Sequence, residues 1–209
     1  MKRLVFVLTT FLIITSGYAQ VDEKSERKFY KQSDWEFGFS SNIGSSTVKT
    51  VQPEGWNNGL PYGSYEYTEN WLYLNLGVST GFYLFNGLSI EPELDINSYA
   101  ETISVSILGN LCYTFYLPQK KIFPYVKLGY GLSNYPENSV DIFKNIDFKT
   151  INVGAGVKLM YYSGMTFRVE LNYRNLNGSN TFYPDQPDSY TIETTTSVIS
   201  ISLGVSILL

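Results

Sequence analysis

The chain has 209 residues, enough for one domain or two small ones. Charged residues make up 16% and aromatics another 16%, the formal charge is −4, and no basic cluster exists, so nucleic-acid binding has no electrostatic footprint. A single cysteine, Cys112, excludes an internal disulfide and a thiolate metal cluster, and the lack of any histidine removes the commonest general base.

The first 19 residues read as a secretory signal. Lys2 and Arg3 give a positive start, 4–14 form an apolar core too short for a membrane helix, and Gly17-Tyr18-Ala19 is a small-x-small cleavage pattern before Gln20. Residues 20–33 are charged and lack apolar periodicity, which predicts a mobile periplasmic tail.

Alternating segments begin at Asp34. Trp35, Phe37 and Phe39 alternate with Glu36, Gly38 and Ser40 in the first strand. Residues 44–69, rich in Gly, Asn, Pro, Ser and Tyr, predict a long loop whose end extends the next strand. The second and third strands form a hairpin about Asn86-Gly87, a dipeptide suited to the positive φ of a tight turn. Leu72, Leu74, Leu76 and Val78 take every second place in the first arm, and Leu88, Ile90, Leu94 and Ile96 do so in the second. The first arm alternates for about 14 residues, where ordinary strands run to about 5–6 and a tilted bilayer crossing needs about 9–11. Within the second arm Pro92 removes a ladder donor, which predicts a local bulge.

The fourth strand carries Ile103 to Phe115 on one face, and the fifth carries Val126, Leu128, Tyr130 and Leu132. A second long loop is expected at 133–148 and a third at 175–192. Between them lie the sixth strand, with Ile151, Val153, Val157 and Leu159, and the seventh, with Phe167, Val169, Leu171 and Tyr173. The eighth runs from Ile199 to Leu209. Connections at 85–87, 117–122 and 162–164 are tight, and 98–101 is a short exception on the loop side. Eight strands with short turns at one rim and long loops at the other predict an all-β fold. It is an eight-stranded antiparallel up-and-down transmembrane β-barrel over 34–209, with both termini periplasmic.

The apolar register holds charge only at loop-side ends (Glu101, Lys149, Glu193), as a lipid face requires. The polar register carries Glu36, Glu91, Glu93, Asp95 and Glu170 with Lys127, Lys158, Arg168 and Arg174. A barrel of eight strands is just wide enough for side chains to fill, so these charges are expected to pair in a lumen network. Gly129, Gly131, Gly154 and Gly156 would make room for the long side chains.

The strings Gly87-Leu88-Ser89-Ile90-Glu91-Pro92-Glu93-Leu94 and Phe123-Pro124-Tyr125-Val126-Lys127-Leu128-Gly129-Tyr130-Gly131 resemble recurrent strands of the small outer-membrane barrels. These are the OmpA/OmpX-like, porin-family β-barrel proteins of Gram-negative bacteria. The resemblance covers the chain from about Asp34 onward. It implies outer-membrane location, contact with outer-membrane lipid and insertion by the barrel-assembly machinery. The family usually ends on an aromatic, whereas this chain ends Ile207-Leu208-Leu209.

Enzymes built on such barrels use a histidine base, and this chain has none. Glu91 and Glu93 share a face and could divide acid and base roles, but belong more naturally to the lumen network. Cys112 reads as a small inward-facing residue. Asp141, Asp147, Asp185 and Asp188 in loops match no metal motif, so no cofactor or metal is expected. Trp56, Tyr62, Tyr65, Tyr67 and Tyr183 give the long loops a composition suited to recognising an extracellular protein or glycan. A plugged barrel with a structural or surface-interaction role is therefore expected. The alternatives are a small pore for ions or small solutes, and a soluble lipocalin-like ligand-binding barrel.

Overall fold

The computed structural model describes residues 30–52, 55–57, 60–99, 102–115, 121–134, 148–162, 164–182 and 190–209. The strands are β1 (Trp35–Gln52), β2 (Gly55–Asn57), β3 (Leu60–Tyr62), β4 (Tyr65–Phe85) and β5 (Leu88–Tyr99). They continue as β6 (Thr102–Thr114), β7 (Ile122–Ser133), β8 (Phe148–Tyr162), β9 (Met165–Phe182) and β10 (Tyr190–Leu208). Eight of them close an antiparallel barrel in the order β1-β10-β9-β8-β7-β6-β5-β4, and β4 pairs back onto β1; β2 and β3 form a separate small hairpin. The predicted signal at 1–19 lies outside the described residues.

Period-two alternation places one register outside and the other inside. Leu72 is 63% exposed and Ile199 60%, whereas Asn152 and Lys158 are wholly buried. This polarity is the reverse of a lipocalin-like barrel, which turns its apolar face inward, so that expectation is corrected. Apolar side chains on the outside belong in hydrocarbon, and closure leaves no unpaired strand edge within it. Aromatic pairs mark the turn-side border of this band: Trp35 with Phe82 at 4.9 Å, Tyr113 with Phe115 at 4.9 Å, and Tyr161 with Phe167 at 5.9 Å.

Three other expectations need correction. First, most of 44–69 and much of 175–192 is strand, because β1 runs to Gln52, β4 starts at Tyr65, β9 runs to Phe182 and β10 starts at Tyr190. Second, Pro92 causes no bulge. The register is the same before and after it (Ser79↔Glu93, Phe82↔Ile90), and the irregularity falls instead beside the turn, between Tyr83 and Phe85. Third, the N-terminal segment is packed as far back as Tyr30, which is 1% exposed. Residues 20–29 and 135–147 lie outside the described residues.

Gly87 and Gly164 take φ of +85° and +99° in the tight turns, a region that glycine enters without a Cβ penalty. The four glycines expected to make room for long side chains divide in two. Gly129 and Gly154 face the Asn110 amide and the Glu170 carboxylate, respectively. Gly131 and Gly156 instead press against backbone, the carbonyls of Ile107 and Val169 on the neighbouring strands.

Candidate functional site

The barrel interior is built in layers because each inward position repeats on neighbouring strands at the same height. At the turn-side mouth, residues 30–34 cross the opening. The Tyr30 carbonyl accepts from Gly87 N at 2.9 Å, and the Asp34 carbonyl accepts from Tyr83 N at 3.0 Å. The Tyr30 ring packs on Tyr83 at 5.4 Å and Phe123 at 5.2 Å, and all three join Leu208 and Met160 in an apolar floor. Burial pushes the Tyr30 hydroxyl well above its ordinary range, so the stopper is uncharged.

Above the floor, Lys158 Nζ sits 2.6 Å from Glu36 Oε2 and 3.8 Å from Glu91 Oε1, and donates to Tyr83 Oη at 2.9 Å. Glu36 also accepts from Tyr83 Oη at 2.7 Å and from Ser206 Oγ at 2.5 Å. Arg168 Nη2 pairs with Glu91 Oε2 at 3.1 Å and its guanidinium lies 5.1 Å from the Tyr125 ring centroid. At mid-height, Lys127 pairs with Glu170 Oε1 at 2.7 Å and Glu93 Oε2 at 3.4 Å, while Tyr125 Oη donates to Glu170 Oε2 at 2.5 Å. Nearer the loop rim, Arg174 bridges Glu93 Oε1 at 2.8 Å and Asp95 Oδ2 at 2.6 Å.

The structure brings the nine predicted lumen charges into two ion-pair clusters, Glu36-Lys158-Glu91-Arg168 and Glu170-Lys127-Glu93-Arg174-Asp95, bridged by Tyr125 and Asn110. Glu91 and Glu93 do lie on one face, yet each is held by two cations of its own, Glu91 by Lys158 and Arg168, Glu93 by Lys127 and Arg174. Neutral groups complete the lattice. Asn110 Nδ2 donates to Glu93 Oε2 at 2.8 Å, Tyr73 Oη donates to Asn97 Oδ1 at 2.6 Å, and Ser133 links Ser106 to Thr150. Above them Tyr73, Phe148, Leu176 and Val198 close the loop-side end with a second apolar cluster. Between the two clusters a cavity of about 20 Å3 remains beside Lys127, Arg168 and Glu170, room for about one water molecule.

Of the predicted recognition aromatics, Trp56 lies in β2, Tyr62 in β3, and Tyr65 and Tyr67 in β4, with Tyr67 exposed; Tyr183 lies outside the described residues, as do the four loop aspartates. Cys112 is buried and free. The inward tyrosines Tyr73, Tyr83 and Tyr125 were readable as network members from their place in the polar register. Nothing in the charged 20–33 stretch marks Tyr30 as a stopper.

Comparison with known proteins agrees with this architecture. The family described as outer membrane protein beta-barrel domain matches residues 9–206. No curated protein sequence matches the chain. Among solved structures it is similar to the outer membrane protein AlkL in lipid bilayers, at 14% identity over 91% of this chain and 96% of that one, with a TM-score of 0.45. It is similar to the outer membrane protein OprG from Pseudomonas aeruginosa, at 13% identity over 84% and 97%, with a TM-score of 0.43. It is also similar to the outer membrane enzyme PagL, at 14% identity over 78% and 98%, with a TM-score of 0.43. Likeness this distant transfers no activity.

Proposed function

The chain belongs to the outer membrane protein beta-barrel domain family and resides in the outer membrane, and on that premise we propose that it is a non-enzymatic barrel with a closed lumen. It serves the envelope structurally and through the surface it raises at the loop rim. The observation that carries this reading is an interior packed, among the described residues, with paired charges between two apolar clusters, where a cavity of about 20 Å3 lies beside Lys127, Arg168 and Glu170. A hydrated ion needs a continuous wet path, and the cavity beside Lys127, Arg168 and Glu170 has space for about one water. Against catalysis stands the chemistry of the lattice. Each inward carboxylate lies within 4 Å of a lysine or arginine, and no histidine is available as base.

In the proposed orientation the tight turns and both termini face the periplasm, as short turns do in this class of barrel. An N-terminal signal over 1–19 would direct export, and the barrel-assembly machinery would insert the chain. The projecting rim would then meet an extracellular protein or glycan. Planar-bilayer recording of the refolded chain tests the closed lumen, with gel mobility of heated and unheated samples as the folding check. A heat-shifted band without steady conductance is expected. Discrete, stable conductance steps would overturn the closed lumen and favour a small pore.

A further inference from the structure

The wall of the barrel is uneven. β4, β1, β10 and β9 run for 21, 18, 19 and 18 residues, whereas β5, β6 and β7 run for 12, 13 and 12. On β4, β10 and β9 the outward apolar register stops at one level, where Leu72, Ile199 and Tyr173 lie in one rung with Ser45 of β1, whose apolar outward residue one rung below is Ile43. The next outward rung is Asn70, Thr47, Ser197 and Asn175, and the one above it is Thr68, Lys49, Thr195 and Asn177. Single outward hydroxyls such as Ser41 occur within the band, but rungs that are polar on all four strands do not belong in hydrocarbon, so the acyl layer ends below the first of these rungs. β10 continues for nine residues past Ile199, 190–198. At about 3.4 Å per residue and a tilt of about 45° the sheet stands about 20 Å above the acyl chains.

The outer face of this sheet is a grid of hydroxyls and amides. Thr47 Oγ1 donates to Asn70 Oδ1 at 2.7 Å, Asn175 Nδ2 to Ser197 Oγ at 3.1 Å, and Thr195 Oγ1 to Asn177 Oδ1 at 2.9 Å. These bonds fix the side chains while using only part of their donor and acceptor capacity. Tyr173, 43% exposed, stands at the border between band and grid. Lys49, the cation of these rungs, is paired with Glu66 at 2.9 Å, and Glu193 adds a further negative charge in the next rung. A grid that is neutral to slightly acidic repels phosphate and carboxylate and suits uncharged hydroxyl groups.

We propose that this outward face of β4, β1, β10 and β9 binds the neutral saccharide headgroup of a glycolipid whose acyl chains lie against the apolar band directly below. The grid is continuous with the lipid-facing surface, so one molecule spans both. This rests on the orientation proposed above, which places the rim at the outer leaflet, and not on the closed lumen.

The test uses the full chain refolded into phosphatidylcholine vesicles that carry a digalactosyl diacylglycerol in both leaflets, with phosphatidylglycerol vesicles as the anionic comparison. Amide hydrogen exchange should slow on addition of the glycolipid in the grid strands around 47–49, 68–70, 175–177 and 195–197, and the thermal midpoint should rise. The T47A/N177A/T195A variant should fold in phosphatidylcholine with the normal heat-shifted mobility and lose about tenfold in apparent glycolipid affinity, as losing a few exposed hydrogen bonds implies. Unchanged exchange in the native chain, equal stabilisation of native and variant, or a larger effect from phosphatidylglycerol would each overturn the proposal. Exchange in the native chain decides the matter even where the variant fails to fold. Surface labelling of whole cells at a cysteine placed at Gly63 reports orientation separately. A rim that faces the periplasm would fail that test while vesicle binding still succeeds.

Discussion

Lys158 shows how the interior tolerates charge. Its ammonium lies 5.1, 5.6 and 5.4 Å from the ring centroids of Tyr30, Tyr83 and Tyr125, and 2.6 Å from Glu36. The rings and the carboxylate replace the water that a buried cation has lost. Truncation to Lys158→Met leaves Glu36 buried with the Tyr83 and Ser206 hydroxyls as its remaining partners. Removing one member of a buried pair costs about 3–5 kcal/mol, so the urea midpoint of the refolded variant should fall accordingly. Asp95 is expected to behave differently. Among the described residues the lumen holds five acids against four bases, and Asp95 shares Arg174 with Glu93. Asp95→Asn removes the surplus negative charge while Arg174 keeps Glu93, so this variant should lose less than about 1 kcal/mol, the net value of one ordinary hydrogen bond. Equal losses in the two variants would mean that the charges act as generic buried polar groups rather than as a counted lattice.

At the scale of elements, the membrane-crossing half of each strand was legible and the projecting half was not. Leu72 to Leu84 alternates apolar with polar in the sense a bilayer imposes, and those strands fall where the pattern places them. Above the band the sense inverts. Val48, Leu176 and Val198 turn inward to the loop-side cluster, while Thr47, Asn175 and Ser197 turn outward. Two opposite alternations meeting within one strand cancel in the sequence, so 44–52 and 175–182 read as loop. The lumen charges were legible because they share one register, whereas Phe148 and Tyr30 lay in stretches with no periodicity to place them. The glycines carry a testable consequence at this scale. A Cβ at Gly156 meets the Val169 carbonyl on the adjoining strand, whereas one at Gly154 meets the flexible ends of Glu170 and Asn172. Gly156→Ala should therefore cost about 1–3 kcal/mol as overpacking against backbone, and Gly154→Ala clearly less. Paired unfolding midpoints decide it, and the reverse order would show that the strands part more easily than the side chains move.

The molecule as a whole is closed twice, by two separate clusters at opposite ends of strands that they partly share. Tyr30 and its floor come from the N-terminal segment, β4, β7, β8 and β10; the loop-side cluster comes from Tyr73, Phe148, Leu176 and Val198 on β4, β8, β9 and β10. Between them the two ion-pair clusters, bridged by Tyr125 and Asn110, extend through the lumen from Glu36 to Asp95. A barrel wall fully paired around the ring does not depend on either cluster for its ladder. Tyr30→Ala and Leu176→Ala should each leave the heat-shifted band intact and give no steady conductance, because the remaining cluster and the lattice still exclude a continuous water path. The double variant should stay closed as well, since neither substitution removes a charged partner, and Lys158 keeps Glu36 and the rings of Tyr83 and Tyr125 when Tyr30 is lost. Combining it with Arg174→Ala removes the bridge between Glu93 and Asp95 and exposes an acidic passage, so any conductance that appears should be cation-selective. Steps seen already in the Tyr30 variant would place the barrier at the mouth alone. The lattice would then be a framework for the wall rather than a seal.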